Sequence, residues 1–417
     1  MDGYLARPDW TMPNAVPIKS SEPLRESSLP SLGHIPALDG LRGLAILAVM
    51  CHHFLFIRGE GLETTLVLRL AHCGLFGVDL FFVLSGFLIT GILLDTRHTR
   101  HALRNFYMRR TLRIFPLYYC VLLVFILVAF VYPLSQFQRD GVPRFQSVLR
   151  DWPWYVTFTS NVLIGLRNGY VHGFLDVTWS LSIEEQYYLV WALVVLTFPR
   201  KAVMRLSLVL LVVSAVTRCL FIYHGASPVQ IYVSSVCHAD GLALGSYYAA
   251  VARDDRFSLA KATQWAKRVL AVALPLLVIL AAAGWLDLES IFCRTIGYPL
   301  IAVVFSQMLV LAIDEQNGVA RILRSRFLMR LGVYSYGLYL LHLPVRAALA
   351  KIWPSGDRWR TASISGLASQ ALFVAVGIAG AMVLALVARR IIEEPALRLK
   401  RYFPRESESG RSTVIGA

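Results

Sequence analysis

The sequence predicts an all-α polytopic membrane protein, a bundle of about ten transmembrane helices with the N- and C-termini in the cytoplasm. Three observations lead there. Hydrophobic residues make up 56% of the 417-residue chain and charged residues only 16%, where a soluble protein carries about 25% charged residues. Ten segments are long and apolar enough to fill a bilayer core of about 30 Å. Finally, 29 of the 41 Lys and Arg residues fall in the segments that lie inside if the N-terminus is inside, the bias expected of cytoplasmic loops.

The first 34 residues are polar and proline-containing and read as a disordered cytoplasmic tail without a signal-peptide core. The expected spans are 36–57, 74–94, 114–132, 178–198, 205–224, 230–252, 269–286, 292–313, 331–350 and 364–388. Between the third and fourth lies an outer segment, 133–177. Its aromatic stretch Trp152–Leu166 is too short and interrupted for a span, and lies at the interface or dips into it. Residues 397–417 form a basic cytoplasmic tail after the membrane domain of 35–396.

The net charge of +15 does not point to nucleic acid, because the basic residues sit beside apolar spans. Six scattered cysteines show no CxxC spacing, so neither a metal site nor a disulfide framework is indicated. No Walker A loop, GxGxxG, HExxH or GxSxG motif occurs.

The stretch ALDGLRGLAILAVMCHHF organises the chain. Arg42 and His53 are eleven residues apart, which puts them on one helix face, about 16 Å apart along the axis. His52 points about 80° away from that stripe. An arginine and a histidine on one face of an embedded helix suggest a functional lining. A snorkelling Arg and a His satisfied by a neighbouring helix are the structural alternative.

In GVDLFFVLSGFLIT, Asp79 needs a partner or an aqueous cavity, whereas close helix packing is the favoured reading of Ser85 and Gly86. The following loop holds six arginines, most of which serve topology. Arg110 and Arg113, three apart, face the same way and suit phosphate recognition. In TWSLSIEEQYYLVW, Ser182, Glu185 and Gln186 share a face near the outer interface, beside Trp179 and Glu184. His342, in YSYGLYLLHLP, suits a structural role as well as a functional one.

Taken in order, LDGLRGLAILAVMCHH, FFVLSGFLI, RRTLRIFPLYY, TWSLSIEEQYYL, HADGLALG, YSYGLYLLHLP and a terminal EEP resemble the acyltransferase-3 family of integral membrane O-acyltransferases. The resemblance spans residues 36–396 and is to the stand-alone form, without the SGNH-type hydrolase domain common in that family. It implies transfer of an acyl group, most simply acetyl, from cytoplasmic acyl-CoA to a hydroxyl of a glycan or glycosylated acceptor in a bacterial inner membrane. No cofactor is held permanently. The family's Arg-x10-His pair falls on Arg42 and His53, and its RxxR element on Arg110 and Arg113. Trp179, Ser182, Glu184 and Glu185 fall in its conserved block. His238 departs from the arginine carried by many relatives and receives no role.

In this reading Arg110 and Arg113 hold CoA phosphates and the pantetheine arm runs beside Arg42. His53 acts as general base, with Asp79 or Glu185 orienting its ring; an acyl-His53 intermediate is the covalent alternative. The rival class is a proton-coupled transporter or flippase of a lipid-linked sugar, for which intramembrane His, Arg and carboxylates also suffice. The oligomeric state is not legible.

Overall fold

The computed structural model describes residues 34–55, 62–131, 147–170, 172–353 and 364–404, which are mostly helical and contain no strand. The expected tail of residues 1–34 lies almost wholly outside the described residues, and 132–146 and 405–417 lie wholly outside them.

Helix α1 (Pro36–Phe54) opens with a proline and carries Asp39 in its first turn, both suited to a helix N-terminus. It is unbroken, so the one-face relation of Arg42 and His53 holds in the fold. A short α2 (Leu62–His72) leads through a 3₁₀ turn into α3 (Gly77–Thr96). Helix α4 (Ala102–Val131) begins three turns before the expected span, so that Arg104, Arg109, Arg110 and Arg113 are helical rather than loop residues. The segment after α4 forms two short helices, α5 (Val148–Val156) and α6 (Ser160–Arg167). There follow α7 (Thr178–Thr197), α8 (Arg200–Tyr223), α9 (Pro228–Tyr232), α10 (Asp240–Val251) and α11 (Leu259–Ala282). The chain closes with α12 (Tyr298–Ile313), α13 (Gly318–Leu323), α14 (Arg326–Val333), α15 (Ser335–Ile352), α16 (Ile364–Ala388) and α17 (Glu394–Arg398).

Among the described residues, six helical stretches are long and apolar enough to cross a membrane: Thr65–Thr96, Ala102–Phe130, Arg200–Tyr223, Leu259–Ala282, Cys293–Ile313 and Ala368–Tyr402. They make the chain a multi-pass integral membrane protein. The other four expected spans are helical but differ from plain apolar rods. Segment 230–252 is split into α9 and α10, and the 12 residues of α10 reach only about 18 Å. Segment 331–350 breaks at Tyr334, between α14 and α15. Helices α1 and α7 carry Asp39 with Arg42, and Glu184 with Glu185, which lower their apolar character.

Burial separates centre from periphery. In the stretch containing α3, 78% of the most apolar window is buried, against 17% in α8. Val209, Val212, Val216 and Leu220 of α8 face outward, towards lipid. The closest central contact is between α3 and α10: a Cβ at Gly86 would overlap the Leu242 carbonyl oxygen, and one at Gly245 the Val83 carbonyl oxygen. Small residues allow this approach where no hydrophobic effect drives helices together.

Polar contacts fix the ends of the bundle. Arg109 of α4 donates to the Phe403 carbonyl at 2.9 Å, and Asn105 to that of Pro404 at 3.0 Å, so residues 394–404 strap the start of α4. Around α5 and α6, Arg167 lies 2.6 Å from Asp151, and His172 contacts Ser147, Tyr155 and Asp151.

Candidate active site

Four helices that carry sequence motifs, α1, α3, α4 and α7, meet α15 around a partly open pocket. Its polar lining comprises Arg42, Arg110, Arg113, Ser85, Glu184, Tyr188 and Ser180, together with Ser335, Tyr336 and Tyr339 of α15. Phe81, Phe82 and Val78 form part of the apolar wall.

The three guanidiniums share the pocket although α1 and α4 are remote in sequence. Arg42 makes a loose pair with Asp39, one turn earlier, at 3.4 Å, and Asp39 also accepts from His34 at 2.6 Å. Arg110 lies over the Tyr188 ring, 5.0 Å from its centroid, a cation–π contact. Arg113 interacts electrostatically with Arg42, Arg110 and the carboxylate of Glu393. Arg109, between them in sequence, instead binds carbonyls of the C-terminal strap. Helical phase sorts neighbours of identical chemistry into pocket and scaffold.

Glu184 is the carboxylate in the lining. Its oxygens accept from Ser85 at 2.6 Å and Tyr188 at 2.9 Å. Ser85 therefore does more than pack, while its neighbour Gly86 is a packing residue. Glu185 is absent from the lining and half-buried on another side of α7, with its buried Oε1 without a hydrogen bond among the described residues.

His53 sits three turns along α1 from Arg42, beyond the pocket lining. Its Nδ1 lies 2.9 Å from Nε2 of His342, with ring centroids 4.9 Å apart. His342 is on α15, one turn beyond Tyr339, so α1 and α15 face each other at both levels. The carboxylates expected to orient His53 are not hydrogen-bonded to it. Asp79 instead lies 2.8 Å from Nε2 of His238. His238 is boxed by the rings of Phe82, Trp179, Tyr232 and Tyr298. Trp179 thus belongs to the wall around the Asp79–His238 pair. Ser182 contacts Ser160 at 2.9 Å and ties α7 to α6. Neither lines the pocket.

The structure brings together Arg42, Arg110, Arg113 and Glu184, and adds Tyr188, Tyr336 and Tyr339. Sequence reasoning passed over the His53–His342 pair. Its one signal was the spacing Ser335, Tyr339, His342, which places all three on one face of α15.

A family model described as an acyltransferase domain matches residues 35–390, which include every side chain of this pocket. The chain belongs to the acyltransferase-3 family. It is 28% identical over 324 residues to the peptidoglycan O-acetyltransferase OatA of Listeria monocytogenes, covering 75% of this chain and 49% of that protein. It is 27% identical over 332 residues to the O-acetyltransferase OatA of Staphylococcus aureus strain NCTC 8325, covering 75% and 50%. The chain spans about half the length of the curated relatives it matches. No solved structure matches it. In acyltransferase-3 terms, the Arg-x10-His and RxxR elements lie on separate helices, and the fold directs both arginine-bearing elements to one pocket.

Proposed function

We propose that this protein transfers an acetyl group from cytoplasmic acyl-CoA to a hydroxyl of a cell-envelope glycan, with His53 as general base. The observation that carries the reading is the convergence of Arg42, Arg110 and Arg113 on a pocket whose flanking helices, α1 and α15, also hold His53 and His342. Guanidiniums recognise phosphate through paired N–H donors, and a pocket with three of them and one carboxylate favours a polyanion such as CoA. The pantetheine arm follows the Arg42–His53 face of α1 towards the histidine. The hydroxyl oxygen attacks the thioester carbonyl as His53 takes its proton; the C–S bond breaks and the thiolate takes the proton back.

The names of the relatives support a glycan acceptor of the peptidoglycan kind, and the Lys and Arg distribution supports a donor and an acceptor on opposite faces of a bacterial cytoplasmic membrane. The family match favours transfer over transport. The test is acetyl-CoA labelled in the acetyl group, given to purified protein with glycan fragments. His53→Ala abolishes transfer while expression and insertion persist, and His52→Ala is milder because its ring packs against His72, off the Arg42 stripe. Turnover independent of His53 would remove the base, and an absence of thioester turnover would remove the enzyme.

A further inference from the structure

We propose that His342 is a positioning residue that holds His53 in the tautomer protonated at Nδ1, leaving the Nε2 lone pair as the base. The inference rests on the reading of His53 as general base and adds which of its nitrogens acts and what selects it.

The assignment follows from hydrogen-bond bookkeeping along α15. Nδ1 of His342 lies 2.8 Å from the Tyr339 carbonyl oxygen and 3.1 Å from that of Leu338. Carbonyl oxygens only accept, so this nitrogen carries a proton. In a neutral imidazole the other nitrogen is then an acceptor. That nitrogen, Nε2, is the atom 2.9 Å from Nδ1 of His53. Two acceptors cannot bond, so Nδ1 of His53 donates and its Nε2 is bare. Neutrality of the pair follows from its surroundings. His342 is 0% exposed, and among the described residues no carboxylate hydrogen-bonds either ring. An isolated imidazolium there would be a buried charge without a partner. The backbone of α15 thus bears, through two rings, on the protonation pattern of a residue on α1, whose ring also hydrogen-bonds the Val49 backbone one turn back.

The arrangement also suits the reaction. When His53 takes the hydroxyl proton at Nε2, the resulting imidazolium keeps its Nδ1–H bond to His342, and the charge is stabilised without moving either ring. A carboxylate plays this part in a Ser-His-Asp triad; here a neutral imidazole, fixed by the backbone, replaces it.

The test has a spectroscopic and a kinetic arm. In ¹⁵N-histidine-labelled protein in bilayers, with resonances assigned by difference against His53→Gln and His342→Gln, solid-state NMR should find His53 protonated on Nδ1 and bare on Nε2. His342→Ala should release it to the other tautomer. Finding wild-type His53 protonated on Nε2 would overturn the proposal. In kinetics, His342→Ala should lower kcat by about 10²- to 10⁴-fold, the scale of a wrong-tautomer loss, while the KM for acetyl-CoA holds within about 2-fold. His342→Gln, whose Oε1 can accept from Nδ1 of His53, should recover most of that loss. Equal losses in both variants, or unchanged kcat in His342→Ala, would sink the positioning role. Full activity in His53→Gln would remove the base itself, whereas the NMR result stands or falls without turnover.

Discussion

Ser85 of α3 donates its hydroxyl to Glu184 of α7 at 2.6 Å, and Tyr188, one turn further along α7, donates to the second carboxylate oxygen at 2.9 Å. With both oxygens committed, the Glu184 carboxyl group is held in the lining it shares with Arg42 and Arg110. Glu184→Gln keeps an acceptor for one donor and removes the charge. A polyanionic donor should then bind more tightly, with the KM for acyl-CoA lower by about 3- to 10-fold, an effect that fades with salt. The change should exceed that of Glu185→Gln, which lies off the pocket. A higher KM in Glu184→Gln would show that the carboxylate serves the donor by holding the arginines in place.

Neighbouring arginines should behave differently. Arg110→Ala and Arg113→Ala remove charge-assisted contacts worth about 1.5–3 kcal/mol each, so the KM for acyl-CoA should rise about 10- to 100-fold with a smaller change in kcat. Arg109→Ala should instead leave that KM near wild type and lower thermal stability, because its partners are the carbonyls of Lys400 and Phe403. Steady-state kinetics and melting in detergent separate the two outcomes. A fall in kcat at constant KM for Arg110 or Arg113 would place that residue on the chemical step.

The packing of α3 on α10 predicts a steep size limit. Gly245→Val puts branched carbon where the Val83 carbonyl already sits, and overpacking of this kind costs about 1–3 kcal/mol or more. The yield of folded protein and the midpoint of thermal unfolding should both fall. An unchanged midpoint would mean that the helices part without cost.

Acid should loosen the region of α5 and α6 through His172. Burial holds its ring at about 4, below the ordinary 6.5, against the opposing pull of Asp151. A group whose folded pKa is depressed takes up its proton in the unfolded chain first, so its stabilising effect is complete above about pH 6.5 and drains away as pH falls towards 4. The melting midpoint of the wild type should therefore drop over that window more steeply than that of His172→Gln. Parallel profiles would remove His172 as the cause.

Topology remains a matter of charge count and is directly testable. In a background lacking the six native cysteines, Arg97→Cys and Tyr170→Cys should label from opposite sides of sealed vesicles. Labelling of both from one side would overturn the orientation, and with it the transfer from an inner donor to an outer acceptor.

The sequence by itself determined the membrane class, the family and the one-face relation of Arg42 to His53, because each depends on local quantities: apolar run length, motif order and helical phase. Phase within α4 also made Arg110 and Arg113 a pair. The tertiary structure alone decided which remote groups meet. Asp79, a plausible orienter of His53 by charge, pairs with His238, and His53 finds a second histidine. Glu184 lines the pocket, while adjacent Glu185 does not, because a rotation of about 100° per residue separates them. Six of the ten expected spans are, among the described residues, long and apolar enough to cross a membrane. Segments 230–252 and 331–350 are apolar enough on average, yet they break before Asp240 and at Tyr334, where new helices that pack inside the bundle begin. Hydropathy measures what a segment tolerates around it; partners across the bundle decide whether it runs straight and which side chains look inward.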